Sequence, residues 1–431
     1  MLREATSCER TENALRKYQN HNIDATSREG PGSSQIQDME TSALPSHNWR
    51  TAADPRVAAH QFSQDLFLRN KDLEPLRLRV DIRQDKQTQD QALVHFYSTD
   101  HVQWARQLYC RLEGDPATGE GVNRHMMSTV MFKLISGFHI NSDSTITRIF
   151  EGESDHLIPS VSADLIDNRL FTIAGRMIGH SFLHSGPSFP GLSPAVLHVL
   201  FGGSLETAPI TLEDCPDLDI RSVVQALRGD ADIEDSEYVH YLCLYANLPL
   251  PNVTNRKWLA EKLLFHAVID KTKFQIDQLR KGLQDTGIWP LLIHRSDVIP
   301  ILFPGESDAQ LTPQMILDQI VWPESLTIIF DQFYTPDDDD SGVADTDRVS
   351  GYLKTFIKNA TPADLKSLTR FWTGWELPST EMKVEVVNAL LPTAYTCFEK
   401  LRLPRHYNSY RTFDIDLRAC ISSSYSGFGC T

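Results

Sequence analysis

The run LPTAYTCFEKLRLP, residues 391–404, sets Cys397 between a small polar residue and an aromatic one, just after a Leu-Pro turn. A thiol in this setting has two readings. As a thiolate it is a strong nucleophile near neutral pH and a good leaving group, so it can accept an acyl group and pass it on. As a packing group, a free cysteine is a small buried hydrophobe. Taken alone, Cys397 fits the second reading better; its neighbourhood decides between them.

Upstream, Thr361 has the grammar of a helix start. Thr is the N-cap, Pro362 takes the first helical position and Asp364 completes a capping box. Leu365, Leu368, Phe371 and Trp372 give that helix an apolar face, and Gly374 closes it. MKVEVV, residues 382–387, alternates as a strand does. Downstream, Phe413, Leu417, Cys420 and Ile421 mark a closing amphipathic helix with Cys420 on its buried face. Cys397 is therefore expected on a loop or strand end held by a small α/β core, a rigid support for an accessible thiol.

Further out, LRLRVDI at 76–82 alternates apolar and basic residues like a half-buried strand, and the folded part is expected to start there. Met127, Val130, Met131 and Leu134 share one helical face and read as core. His180 and His184 lie four apart in IGHSFLH, a spacing that puts two zinc ligands on one helix face. No glutamate follows His180 and no third ligand is evident, so packing is the reading and no metal is assigned. Residues 255–287 carry apolar faces at helical spacing, from Trp258 and Leu259 to Leu279. The acidic run Asp337–Asp340 lacks the alternating ligands and closing glutamate of a calcium loop, and reads as an exposed loop over residues 334–347. Residues 1–57 are polar, with the breaker run GPGSS at 30–34, and are expected to be disordered because they cannot offset their ordering entropy.

Composition bounds the rest. With 431 residues and 41% hydrophobic content, the chain can bury substantial cores in two or three domains or lobes. Seven cysteines without a CxxC pair argue against a disulfide framework or zinc finger, and for a reducing compartment, cytoplasm or nucleus. No apolar run approaches the roughly 18 residues that span a bilayer, and the polar start MLREATSCER has no apolar signal core. A formal charge of -16 without a basic cluster argues against nucleic acid as a partner.

These residues also carry a resemblance. Thr396, Cys397 and Phe398 after a Leu-Pro turn, FWTG at 371–374 before them and SGFG at 426–429 after them resemble the C-terminal lobe of HECT ubiquitin ligases. Looser matches lie upstream: GEGVNRHMM at 119–127, GRMIGHSFLHSGP at 175–187, LEDCPDLD at 212–219 and SEYVHYLCLYANLPL at 236–250. The similarity runs from about Leu76 to the end.

What the resemblance implies is an α+β, bilobal domain. A disordered extension, 1–57, would precede a mainly helical N-lobe, 76–320, that includes the conjugating-enzyme-binding part; a hinge and small α/β C-lobe would occupy 321–431. Cys397 would take ubiquitin from a conjugating enzyme as a thioester and hand it to a lysine of a protein substrate, with no cofactor. Thr396 would hydrogen-bond near the thiolate or oxyanion, Phe398 would anchor the loop by burial, and Phe428 would act as the aromatic used near the C-terminus during transfer. Trp289 or Leu292 in GIWPLLIH would be candidates for the docking patch. Two positions depart from the pattern: Tyr395 stands where many members have His, and His125 where Glu is usual. They leave a second class open, a weak or inactive scaffold that binds ubiquitin or the conjugating enzyme. A cysteine hydrolase would need a histidine paired with Cys397, and His406 is the only one nearby in sequence.

Overall fold

In the computed structural model the described residues are 48–141, 145–229, 236–323, 341–376, 378 and 381–423, with the backbone alone at 341–343 and 397. The extension up to residue 47, the acidic run Asp337–Asp340 and Phe428 lie outside the described residues.

Two hydrophobic cores divide the chain. The first collects buried residues from Trp49 to Phe303, the second from Leu311 to Ile421. Packing thus begins upstream of the strand expected to start the fold. Helix α1 (Pro55–Arg69) opens on Asp54, whose carboxylate accepts the Arg56 N–H, with proline in the first turn. Trp49 stacks edge-on to Phe62 of that helix at 5.0 Å between ring centroids. The passage between cores falls between Phe303 and Leu311, a little ahead of residue 321.

In the first core, β1 (Leu76–Asp81) pairs in parallel with β2 (Leu108–Glu113), Leu76 opposite Leu108. The crossover carries helix α2 (Lys86–Ser98), capped by Asp85, whose side chain accepts the Thr88 N–H at 2.8 Å. Helix α3 (Glu120–Ser136) follows and buries Met126, Met127, Val130, Met131 and Leu134. A short antiparallel pair, β3 (Phe150–Glu151) with β4 (Ile158–Pro159), leads to α4 (Leu170–Leu183), which is buried on nearly all sides. It crosses α8 (Lys273–Asp285), reached through α5 (Leu218–Arg228), α6 (Glu237–Tyr245) and α7 (Arg256–Val268). The α4–α8 crossing depends on two glycines. A Cβ on Gly175 would run into the Leu279 carbonyl, and one on Gly282 into the Thr172 carbonyl.

The GRMIGH motif is structural here. Arg176 is buried and donates to Asp100 (2.6 Å), Asp285 (2.8 Å) and the carbonyl of Tyr97 (2.9 Å). His180 Nδ1 and the Tyr97 hydroxyl share a buried 2.9 Å hydrogen bond, and the His180 and His184 rings pack edge-on. Among the described residues no group of three or more His, Cys, Asp or Glu is placed to hold a metal ion. No described helix is long and apolar enough to cross a membrane.

The second core is a four-stranded sheet wrapped by helices. The strands β5 (Ile320–Val321), β6 (Met382–Val387), β7 (Thr393–Tyr395) and β8 (Lys400–Pro404) lie in the order β5-β6-β8-β7. β5, β6 and β8 run parallel, and β7 returns antiparallel along β8. Helices α9 (Ser341–Asn359), α10 (Pro362–Thr373) and α11 (Tyr410–Ser423) bury Leu353, Phe356, Leu365, Leu368, Trp372, Phe413 and Leu417 around that sheet. The expected cap is in place: Thr361 Oγ1 accepts the Asp364 N–H at 3.2 Å and Asp364 accepts the Thr361 N–H at 3.3 Å. Gly374 ends α10 at φ 83°, in the left-handed region that glycine takes without penalty. Cys420 is half-buried on α11, beside fully packed Leu417 and Ile421.

Candidate active site

Cys397 belongs to the loop of the β7–β8 hairpin. Tyr395 and Lys400 are the last paired residues, so Thr396, Cys397, Phe398 and Glu399 form a four-residue turn. Its middle is one turn of 3-10 helix, Thr396–Phe398, and the Glu399 N–H returns to the Thr396 carbonyl at 3.3 Å. Type I-like hairpin loops commonly end on a residue with positive φ, the place for glycine or asparagine. Here that residue is Glu399, at φ 54° and ψ 37°. Its carbonyl accepts the Lys383 N–H of β6 at 2.8 Å and the Trp372 indole N–H of α10 at 2.9 Å. The sheet and a fully buried tryptophan therefore fix the turn at its C-terminal end.

The two aromatic neighbours point outward. Tyr395 is 46% exposed, and its hydroxyl accepts from the Arg402 guanidinium at 3.2 Å across the hairpin. Phe398 is 71% exposed, which corrects the expectation that it anchors the loop by burial. The reason is topological: the hairpin loop projects beyond the sheet, and the buried anchor is Trp372 of the neighbouring helix. Thr396 is half-buried and contributes its carbonyl to the turn. Leu390 and Leu391, just before β7, are exposed as well.

The turn also meets the first core. Arg124 of α3 reaches Glu399 with Nη1 to Oε1 at 2.6 Å, and its guanidinium lies over the Trp375 ring at 5.5 Å. Arg370 of α10 donates to Thr129 Oγ1 at 3.2 Å. Gly374 approaches the Gly121 carbonyl so closely that a Cβ there would sit 3.0 Å from it. His125, next to Arg124, is pushed down to about 4 by burial, with the charge of Arg370 adding to the effect, and is neutral at physiological pH.

The cysteines whose side chains are described, Cys110, Cys215, Cys243 and Cys420, are buried or half-buried. Burial raises the thiol pKa of Cys110, Cys215, Cys243 and Cys420 above its ordinary value. His406 follows the far end of β8. Four strand steps of about 3.3 Å separate Lys400 from Pro404, so His406 is roughly 13 Å of strand away from the turn, out of reach of a Cys-His pair. Its ring packs against Tyr407 instead. Leu292 is buried and half-buried Trp289 stacks on Phe201 at 5.6 Å, so these two residues pack inward, while Ile293 of the same segment is exposed. An exposed apolar face lies on α6, where Tyr238, Tyr241 and Tyr245 recur at helical spacing.

The site is thus a cysteine at the turn of a hairpin in a small sheet, beside a larger, mainly helical core. The family model described as HECT-domain (ubiquitin-transferase) matches residues 126–431. The chain belongs to the HECT-domain family. It is 23% identical over 315 residues to a G2/M phase-specific E3 ubiquitin-protein ligase of Gallus gallus, covering 70% of this chain and 39% of that protein. The protein of the same name from Homo sapiens is 26% identical over 148 residues, 33% of this chain and 21% of that one. The chain thus spans about two fifths or less of these relatives.

Sequence reasoning pointed to a loop or strand end for Cys397 and to the cap and glycine stop of α10. It missed Glu399 and Trp372 as the anchors and Arg124 as the contact from the first core. A glutamate at the end of a hairpin loop, where glycine or asparagine fits the backbone better, was the available signal.

Proposed function

We propose that this chain is a HECT-type ubiquitin ligase in which Cys397 carries ubiquitin between a conjugating enzyme and a substrate lysine. The observation behind this reading is the place of Cys397, on a projecting hairpin turn inside the region that matches the family. The Cys397 thiolate attacks the thioester carbonyl of the charged conjugating enzyme. The tetrahedral oxyanion collapses, the new carbon–sulfur bond is kept and the enzyme's thiolate leaves. A lysine amine then attacks the Cys397 thioester, an isopeptide bond forms, the Cys397 thiolate departs and the amine loses its proton to solvent. Exchange between thioesters is nearly isoenergetic, so acceleration comes mainly from positioning. Thr396 is assigned to the oxyanion, exposed Phe398 and Tyr395 to contact with ubiquitin, and Phe428 to the transfer step.

The conjugating enzyme is assigned to the α6 face. Tyr241 and Tyr245 stack there with centroids 6.1 Å apart, and the Lys271 ammonium lies 5.1 Å from the Tyr245 ring centroid. A reducing compartment, cytoplasm or nucleus, suits a free acyl-carrying thiol. The second reading, a binding scaffold, is favoured by one feature: the Tyr395 hydroxyl is engaged by Arg402 at the position where many members have histidine.

The test is to mix the purified chain with charged conjugating enzymes and run a non-reducing gel. A ubiquitin adduct removed by thiol reductant, and absent in Cys397→Ala, is the expected result. No adduct across a broad enzyme panel, with Cys397 reduced and the protein folded, replaces the ligase reading with the scaffold.

A further inference from the structure

Glu399 occupies a backbone position that penalises its own side chain, and that side chain leaves the hairpin to meet another part of the molecule. Residues with a Cβ adopt the left-handed conformation at a cost, which glycine avoids and asparagine reduces. Backbone preference therefore does not explain a glutamate here. Its carboxylate does: it pairs with Arg124 at 2.6 Å, across 275 positions of sequence, with both side chains only 20% exposed. The backbone of residue 399 is tied to the second core through Lys383 and Trp372, while its side chain is tied to the first through Arg124. Glu399 thus joins the Arg370–Thr129 hydrogen bond in linking the two cores, and does so two positions after Cys397.

The link is also built to open. Arg124 Nε and Trp375 Nε1 are buried there with no acceptor among the described residues, so the closed arrangement carries desolvated donors that opening would return to water. An ion pair whose side chains are 20% exposed, set beside such donors, gains its attraction against a desolvation cost and is a modest restraint. We propose that Arg124 and Glu399 are positioning residues forming a clasp that holds the Cys397 turn on α3 in the resting protein and releases it for ubiquitin transfer. This rests on Cys397 as the acceptor thiol. Such a thiol faces a conjugating enzyme in one step and a substrate lysine in the next, and a turn fixed on α3 cannot present the same face to both.

The experiment compares wild type with Glu399→Gln, Arg124→Gln and Glu399→Gly as full chains. Hydrogen exchange is followed in peptides covering 119–130 and 393–404, at low and at raised salt. In wild type, raised salt is expected to speed exchange in both peptides together. Each variant is expected to exchange about three- to tenfold faster at low salt and to lose the salt response. Glu399→Gly separates clasp from stability, because it opens the clasp yet relieves the backbone, so its melting temperature is expected to hold or rise. A turn kept only for structural integrity would show faster exchange and lower melting temperature together, which overturns the proposal. Unchanged exchange in both single neutralisations overturns it as well.

Single-turnover charging supplies the second arm, with adduct formation expected about three- to tenfold faster in Glu399→Gln. Faster exchange with slower charging would make the pair part of the productive arrangement and overturn the resting clasp. The two readings fail separately. If wild type forms no adduct while exchange follows the expected pattern, the ligase reading falls and the clasp stands.

Discussion

The two cores spend their polar groups in opposite ways. The first, from Trp49 to Phe303, buries them: Arg176 inside α4 with its carboxylate and carbonyl partners, His180 against Tyr97, His184 against Phe67. The second, from Leu311 to Ile421, keeps a largely apolar interior and places its polar work at the edges, in the Thr361 capping box and the Glu399 turn. A core crossed by hydrogen-bonded charges is rigidly specified, because every buried donor demands one partner geometry. A small sheet with its anchors at the rim can present a loop, and reposition it, without reworking its interior. The site sits on the second kind, and the scaffold is of the first.

Cys397→Ala bears hardest on this division. It is expected to abolish the reductant-sensitive adduct while changing the unfolding free energy by less than about 0.5 kcal/mol, as surface-loop changes usually do. An unfolded variant would instead place Cys397 in the second core's interior. Next in size is Gly282→Val, which drives side-chain atoms into the Thr172 carbonyl at the α4–α8 crossing. Overpacking costs about 1–3 kcal/mol and more against backbone, so the first core should lose urea resistance. Exchange protection in 382–404 should survive that loss, and its disappearance would mean that the two cores fold as one unit.

Acid should separate the cores too. Burial pushes His184 and His125 down to about 4, and His180 well below its ordinary value, so all three are neutral in the fold. The unfolded chain takes up protons near pH 6.5, the ordinary value, whereas the folded chain resists. Stability is therefore full above pH 6.5 and falls toward pH 4, by about 1.4 kcal/mol per pH unit for each histidine that stays neutral. These histidines lie on α3, on α4 and at the C-cap of α4, so protection of first-core amides should fall first as the pH is lowered. Equal loss in both cores would assign the difference to something other than the histidines.

How much of this was legible in the sequence follows from the range of each interaction. The α10 cap at Thr361, its stop at Gly374, the β6 alternation and the Met127–Leu134 face were readable because each is settled within a few residues. Helix α1 was hard to see because apolar residues do not concentrate on one face, and its start is set by Asp54 and Pro55. Phe398 was misread since burial of an aromatic depends on what packs over it, and at a projecting turn nothing described covers it. Trp289 and Leu292 could not be told from a docking patch for the same reason: an apolar run looks alike on a surface and in a core. The Arg124–Glu399 pair joins residues 275 apart, and no local pattern encodes such a partner.

The smallest effects test whether the turn is anchored by its own core. Trp372→Phe keeps an aromatic ring in the second core and removes the indole N–H that the Glu399 carbonyl accepts at 2.9 Å. The lost hydrogen bond and the small void together should cost about 2 kcal/mol, and exchange should rise locally in 393–404 because the Lys383 N–H alone still holds that carbonyl. Thr361→Ala removes an N-cap at the opposite end of the same helix, worth about 1 kcal/mol. If Trp372 acts on the turn directly, the cap variant lowers the urea midpoint while leaving exchange in 393–404 unchanged beyond that global shift. If both variants loosen the turn in proportion to the stability they lose, the indole has no special hold on Glu399. The turn would then follow the stability of the second core as a whole, and its position relative to Arg124 would be the only local control left.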